Sequence, residues 1–313
     1  MRKLFDPKML MRHWDHFWFA PIDLFKVGLF RAVFGFTILI MYGIRHTSVR
    51  DFFLNSGLMP ATEARNILPE FLLSPLPVFF HSDALNYWGH TLFVVLIFLF
   101  TIGVIGRWGT WIIFVLSLGF MQRNFPLVYG ADLFSNCWLF YLSFINHNKY
   151  FSVLNYIRHR KTFSVLPDVT SDIYSSAFVC LIQIQLSLSY AYTGIEKLKG
   201  MQWWEGSAVW YVVGMRELVA VDLSYLRYFP TAIAIMSMAT VIFEVYFIFA
   251  VANKKLRPYW LLLGLGLHLG IAGFMSLPFF GIIMMAPYIL FLDAQKLRLW
   301  AACFIYKFKS RRT

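Results

Sequence analysis

Gln183, Ser187, Tyr190, Gly194 and Lys197 follow one another at intervals of 4, 3, 4 and 3 residues within a run of nearly unbroken apolar sequence. At 3.6 residues per turn that spacing puts all five on one side of a helix, about 21 Å from first to last. The face offers an amide, a hydroxyl, a phenol and an amine, which are groups suited to hydrogen bonding and proton transfer. An amine kept partly from water gives up its proton more readily and can act as a base, so Lys197 is the candidate reagent. Two plainer readings stand beside this one. A lysine at a span end commonly snorkels to water, and small polar residues commonly hold membrane helices together. Glu196 adjoins Lys197 but points about 100° away.

Other ionisable residues lie in apolar runs, where a charge costs roughly 2.5–3.5 kcal/mol on insertion scales and needs a partner or a wet cavity. Arg31 and Glu244 are expected to form a structural ion pair. His268 lies ten residues beyond Pro258, and its imidazole is expected to be neutral and hydrogen-bonded, either in a packed core or in a cavity wall. Asp132 is placed to pair with Arg123 or with Lys197, and Arg123 with Asn124 marks the outer end of the third apolar run. His90 is a further buried candidate.

The elements that must position these groups are membrane helices. Only 14% of the 313 residues are charged and 59% are hydrophobic, against about 25% charged in a soluble domain. Eight apolar runs, near 23–45, 85–105, 108–121, 131–146, 173–195, 230–252, 258–275 and 278–293, predict an all-α, polytopic transmembrane helix bundle. The third and fourth are short for a hydrocarbon layer of about 30 Å. With the N-terminus inside, eighteen Lys and Arg fall on the inner side and eight on the outer, so both termini are expected in the cytoplasm. Residues 1–22, with Trp14, Phe17, Trp18 and Phe19, read as a cytoplasmic interfacial segment without a signal-peptide pattern. Residues 23–295 form the membrane domain and 296–313 a basic cytoplasmic tail. The segments 46–84 and 200–229 read as interfacial pieces on the outer side, rich in Pro, Trp and Tyr.

Several functional classes are disfavoured. The net charge of +12 sits mostly at span ends, where it sets orientation and touches lipid headgroups, so nucleic acid is not an expected partner. Cys137, Cys180 and Cys303 suggest neither a disulfide framework nor a metal site, and no metal is expected. HExxH, paired CxxC, GxSxG and phosphate-loop patterns are missing from the sequence. Without an internal repeat or a matched pair of broken helices, a transporter ranks last.

The order of several segments resembles a known family. "IQIQLSLSYAYTGIEKLKGMQWWEGSAVWYV" is similar to the hallmark of the HTTM membrane domain, shared with vitamin K-dependent gamma-carboxylases. "VGLFRAVFGF" resembles its first-span arginine motif, "QRNFPLVYGADLFSNCWLFYLSF" its Asn-containing outer loop followed by Asp, and "HLGIAGFMSLPFFGIIMMAPYILFL" its late histidine helix. The resemblance covers residues 23–293. It implies a lysine base that deprotonates a reduced, vitamin K-like quinone, with Lys197 at the matching position and His268 as the late histidine. Asn124, Arg123, Asp132, Gln183, Tyr190 and Trp204 would line the cavity. It also implies a bacterial inner-membrane location, with membrane lipids and a secreted peptide or protein substrate as partners. The chain departs from the family pattern in having Glu196 where animal enzymes carry a second lysine, and in showing no counterpart of the large lumenal domain. The expectation is a quinol- or lipid-dependent enzyme of carboxylase or epoxidase type acting at an outward-facing cavity. The alternative is a non-catalytic maturation or export partner of a secreted peptide, docking on 46–84 and 200–229.

Overall fold

A computed structural model describes residues 7–67, 82–159, 169–170, 172–215 and 217–309. The described residues are mostly helical, as expected. It divides into two compact units: residues 1–181 with 292–313, and residues 182–291.

Among the described residues four helices are long and apolar enough to cross a membrane: α2 (Leu24–Thr47), α5 (Asp83–Thr101), α9 (Ile173–Lys197) and α12 (Pro230–Ala252). The remaining expected spans are also helical, namely α6 (Arg107–Arg123), α7 (Gly130–Leu142), α13 (Arg257–Phe274) and the broken pair α14 (Pro278–Met285) and α15 (Tyr288–Phe291). They do not meet the same measure. The 13 residues of α7 rise only about 20 Å, short of a hydrocarbon layer of about 30 Å.

Local chemistry sets the helix starts. Asp23 caps α2 by accepting the Phe25 N–H at 2.8 Å, and Ser82 caps α5 by accepting from Leu85. Pro230, Pro258 and Pro278 occupy first-turn positions, where no donor is lost.

In the first unit α2 packs along α5, burying Phe30, Phe34, Ile38, Phe93, Ile97 and Phe100. Gly35 permits the approach, since a Cβ there would lie 2.8 Å from Thr101 Oγ1. Arg31, fully buried, does not form the ion pair expected of it. Its Nη1 donates to the carbonyls of Phe100 and Thr101 at 2.6 and 2.7 Å, and its Nη2 to those of Tyr150 and Phe151 at 3.1 and 2.6 Å. A planar guanidinium satisfies several carbonyls at once, so it needs no carboxylate. Phe151 sits at φ 54°, a left-handed position rare for a phenylalanine, and Gly103 beside the clamp at φ 74°.

In the C-terminal stretch, α16 (Ala294–Lys309) seats a fully buried Arg298 in the first unit. The guanidinium grips Asp23 through Nη2 at 2.6 Å and Nε at 3.0 Å, between the rings of Phe25 and Tyr150. A bidentate, ring-flanked arginine tolerates burial that a lysine would not. A short antiparallel pairing of β1 (Ile22–Asp23) with β2 (Val169–Thr170) was not foreseen.

The N-terminal stretch forms α1 (Pro7–Phe19), which exposes Met11, Trp14 and Phe17. The pieces expected over 46–84 include α3 (Val49–Phe53) and α4 (Ala61–Ile67); residues 68–81 of that stretch lie outside the described residues.

In the second unit α12, α13 and α14 pack in sequence. Phe243, Phe247, Ile283 and Leu290 close its core. Two short helices, α10 (Met201–Trp204) and α11 (Ala208–Gly214), follow α9, and both contact α12.

Candidate functional site

The polar stripe of α9 faces the interior of the second unit. Ser187, Tyr190 and Gly194 are buried, Gln183 and Lys197 are half-buried, and Leu188, Tyr192 and Ile195 point outward. The 3.6-residue period therefore identified the face correctly. Gln183 donates its Nε2 to the Leu290 carbonyl at 3.0 Å, and Ser187 returns to the Gln183 carbonyl on its own helix at 2.7 Å.

Tyr190 is the hub of a buried polar group. Its hydroxyl lies 2.6 Å from His268 Nε2 and 2.8 Å from the Tyr288 hydroxyl. The rings of Phe243 and Phe247 pack against it at 5.1 and 4.4 Å. His268 Nδ1 is buried without a partner. Close approach of α13 requires Gly264, where a Cβ would collide with the Tyr288 hydroxyl, and Gly281, where it would meet the His268 carbonyl. A proton can pass along this triad in either direction, because each hydroxyl both donates and accepts.

Lys197 turns inward. Its Nζ lies 2.7 Å from Glu244 Oε2 and 3.0 Å from Oε1, with the Trp203 ring 5.4 Å away. Its side chain keeps 24% exposure and that of Glu244 9%. Gly194 brings α9 against α12: a Cβ there would stand 2.8 Å from the Val245 nitrogen. Glu244 is thus the partner of Lys197, correcting the expected pair with Arg31. The next lysine behaves differently. Lys199 is exposed and pairs with Glu196 at 2.6 Å, a contact that makes it hold its proton more firmly.

Trp204 does not line this site. It is 59% exposed and donates to the Leu198 carbonyl at 2.8 Å. Its neighbour Trp203 takes the place beside the amine. Trp203 and Tyr288 escaped sequence reasoning. The tryptophan pair signalled one of the two residues without saying which, and Tyr288 sits in an apolar run where a lone phenol gives no pattern.

Asp132, Arg123 and Asn124 lie in the first unit. Asp132 is fully buried and pairs with Arg45, Nη1 to Oδ1 at 2.5 Å and Nη2 to Oδ2 at 2.9 Å, not with Arg123 or Lys197. Tyr42 donates to Oδ1 at 3.1 Å, and the Tyr129 N–H to Oδ2 at 3.2 Å. Arg45 prevails because its fork meets both oxygens at once. Arg123 instead holds the Met59 carbonyl at 2.9 Å, and Asn124 that of Phe52 at 2.7 Å. Tyr42, Arg45, Phe120, Asn124 and Asp132 help enclose a void of about 10 Å³, room for about one water. Nearby, His46 and His90 meet Nδ1 to Nδ1 at 3.1 Å, and the buried Asn86 amide has no partner.

Among the described residues no group of three or more His, Cys, Asp or Glu could hold a metal ion. The helices and their composition define an integral membrane protein of helical-bundle type. No family model matches the chain, and no curated protein or solved structure is similar to it.

Proposed function

We propose that this chain is a membrane-embedded enzyme in which Lys197 acts as base on the hydroxyl of a lipid-soluble substrate, a reduced quinone of vitamin K type or a chemically similar lipid. The observation that carries the reading is the inward turn of Lys197 onto Glu244, at the end of a buried polar face continued by Tyr190, His268 and Tyr288. A snorkelling lysine would reach for water, and the exposed Lys199 two residues on is the contrast.

The donor set suits a hydroxylated ring. The Lys197–Glu244 pair can accept the hydroxyl proton, Trp203 presents a ring face for stacking, and the partnerless Nδ1 of His268 awaits a polar group. A reduced quinone would supply an acidic hydroxyl and two removable electrons. Lys197 takes the hydroxyl proton: the O–H bond breaks, its electron pair stays on oxygen, and a new N–H bond forms. Tyr190 and His268 hold or relay a proton at the phenol oxygen and Nε2.

In this reading the chain has eight spans, both termini cytoplasmic and Lys197 at the outer face of a bacterial inner membrane, in line with the asymmetry of its basic residues. A second reading, docking of a secreted peptide as a maturation partner, draws on the exposed rings of Trp204, Tyr211, Tyr225, Tyr228 and Phe229.

The test is purified protein in lipid nanodiscs given a reduced naphthoquinone and oxygen, with products separated by chromatography. Wild type is expected to convert the quinol to an oxidised product and Lys197→Met to lose at least about a hundredfold in rate, in the range of a removed general base. Equal conversion by correctly folded Lys197→Met sinks the enzyme reading. Greater loss of in vivo function on substituting the 200–229 aromatics than on Lys197→Met favours the docking role.

A further inference from the structure

An ammonium held as Lys197 is held here is not yet a base. Its three N–H donors meet two carboxylate oxygens at 2.7 and 3.0 Å, with a tryptophan ring on another side. The proton has to go somewhere before the nitrogen lone pair can act. The acceptor that the amine meets among the described residues is Glu244, a buried residue of α12. Gly194 keeps the two helices close enough for the contact: an added Cβ would lie 3.0 Å from the Glu244 Cβ.

We propose, resting on the enzyme reading above, that Glu244 is a positioning residue: it holds Lys197 protonated and turned inward at rest, and it stores the lysine's proton during reaction. In the first step the proton moves from Nζ to Oε2 along the 2.7 Å contact. The N–H bond breaks with its electron pair left on nitrogen, and an O–H bond forms on the carboxyl. The pair is neutral overall before and after, so the transfer creates no net charge in a medium of low dielectric. In the second step the nitrogen lone pair takes the substrate's hydroxyl proton, which regenerates the ammonium beside an oxyanion. Glu244 then returns its proton to water. The substrate class follows: the product oxyanion must replace the carboxylate as counter-ion of Lys197, so the substrate is an acidic hydroxyl, a phenol or an enol, and not a simple alcohol.

The test labels full-length protein in nanodiscs with an amine-selective reagent and reads Lys197 by peptide mass spectrometry, with the exposed Lys199 as internal reference. In Glu244→Gln, Lys197 is expected to label at least about tenfold faster at neutral pH than in wild type, with its pH–rate profile moved to lower pH, the scale of losing an opposite charge at contact distance. Glu244→Asp is expected to restore most of the protection. A salt bridge with no part in the reaction would move the profile equally, so turnover is read beside it: Glu244→Gln is expected to lose at least about tenfold in rate with Glu244→Asp recovering part of it, and unchanged turnover in Glu244→Gln overturns the proton store. If Glu244→Gln fails to fold, Lys197→Met treated with an apolar carbodiimide gives an independent reading: Glu244 is expected to react there and to be spared in wild type. An unmoved profile, or equal carbodiimide reaction in both proteins, overturns the proposal whatever the activity. A shifted profile in a protein whose Lys197→Met variant keeps full turnover overturns the enzyme reading instead, and the proton-store role with it.

Discussion

Replacing Arg31 by methionine removes the guanidinium that gathers four backbone carbonyls. The Phe100 carbonyl keeps the Gly103 N–H at 3.0 Å, but those of Thr101 and Phe151 lose the donor that serves them. Each buried acceptor left unpaired costs about 1–3 kcal/mol. The left-handed Phe151 stores on the order of 1 kcal/mol, and its constraint disappears with the clamp. The net expectation is a loss of about 3–5 kcal/mol, in the range seen when one partner of a buried charged contact is removed. For a unit of this size that is roughly 6–20 °C in melting temperature. The assay is thermal unfolding in detergent, followed with a thiol-reactive dye that reports exposure of the buried Cys180. Arg31→Lys, a point charge on a flexible stem, is expected to fall between wild type and Arg31→Met. A drop of less than about 2 °C for Arg31→Met would refute the argument, and would mean that water or relaxed backbone satisfies those carbonyls.

Gly194→Ala should push α9 from α12, lengthen the Lys197–Glu244 contact and destabilise by about 1–3 kcal/mol, with activity falling further than stability. Melting and turnover measured together check this. Asn86→Leu should raise the melting temperature, because a buried amide with no partner costs about 1–3 kcal/mol; a fall would show that the amide is hydrated. Arg298→Lys should loosen α16, read as faster proteolysis after residue 293, since one ammonium cannot match the fork on Asp23. Glu196→Gln should leave the melting temperature unchanged at neutral pH. What the exposed Lys199 pair contributes is present below the ordinary lysine pKa and fades as pH rises through the raised value, so any difference from wild type should shrink above about pH 10.

Periodicity made the buried face of α9 legible, because one helix keeps its register over 25 residues. It could not name the partners. Glu244 sits 47 residues beyond Lys197 on a mostly apolar helix, where Ser237, Thr240 and Glu244 mark a face without saying which helix it meets. Arg31 invited a carboxylate partner on charge grounds alone, yet the clamp uses backbone carbonyls, which every residue has and no sequence advertises. The choice between Trp203 and Trp204 failed for a local reason. The chain leaves its helix at Gly200 and restarts in a four-residue turn, so the register that placed Lys197 does not carry across. Each of the eight apolar runs is helical, the last as two pieces, but among the described residues only four helices are long and apolar enough to span, and α7 shows that an apolar run can end before it is long enough.

Asp23 and Arg298 are separated by 275 positions. At about 5–20 residues per second, roughly 14–55 s of synthesis pass between the carboxylate and its arginine. During that interval the Asp23 carboxylate has its cap at Phe25 and its strand pairs with Val169–Thr170, but its arginine is missing. The start of α2 is therefore sealed by a helix made much later, and a nascent chain stalled short of residue 298 carries an unneutralised carboxylate at the foot of α2.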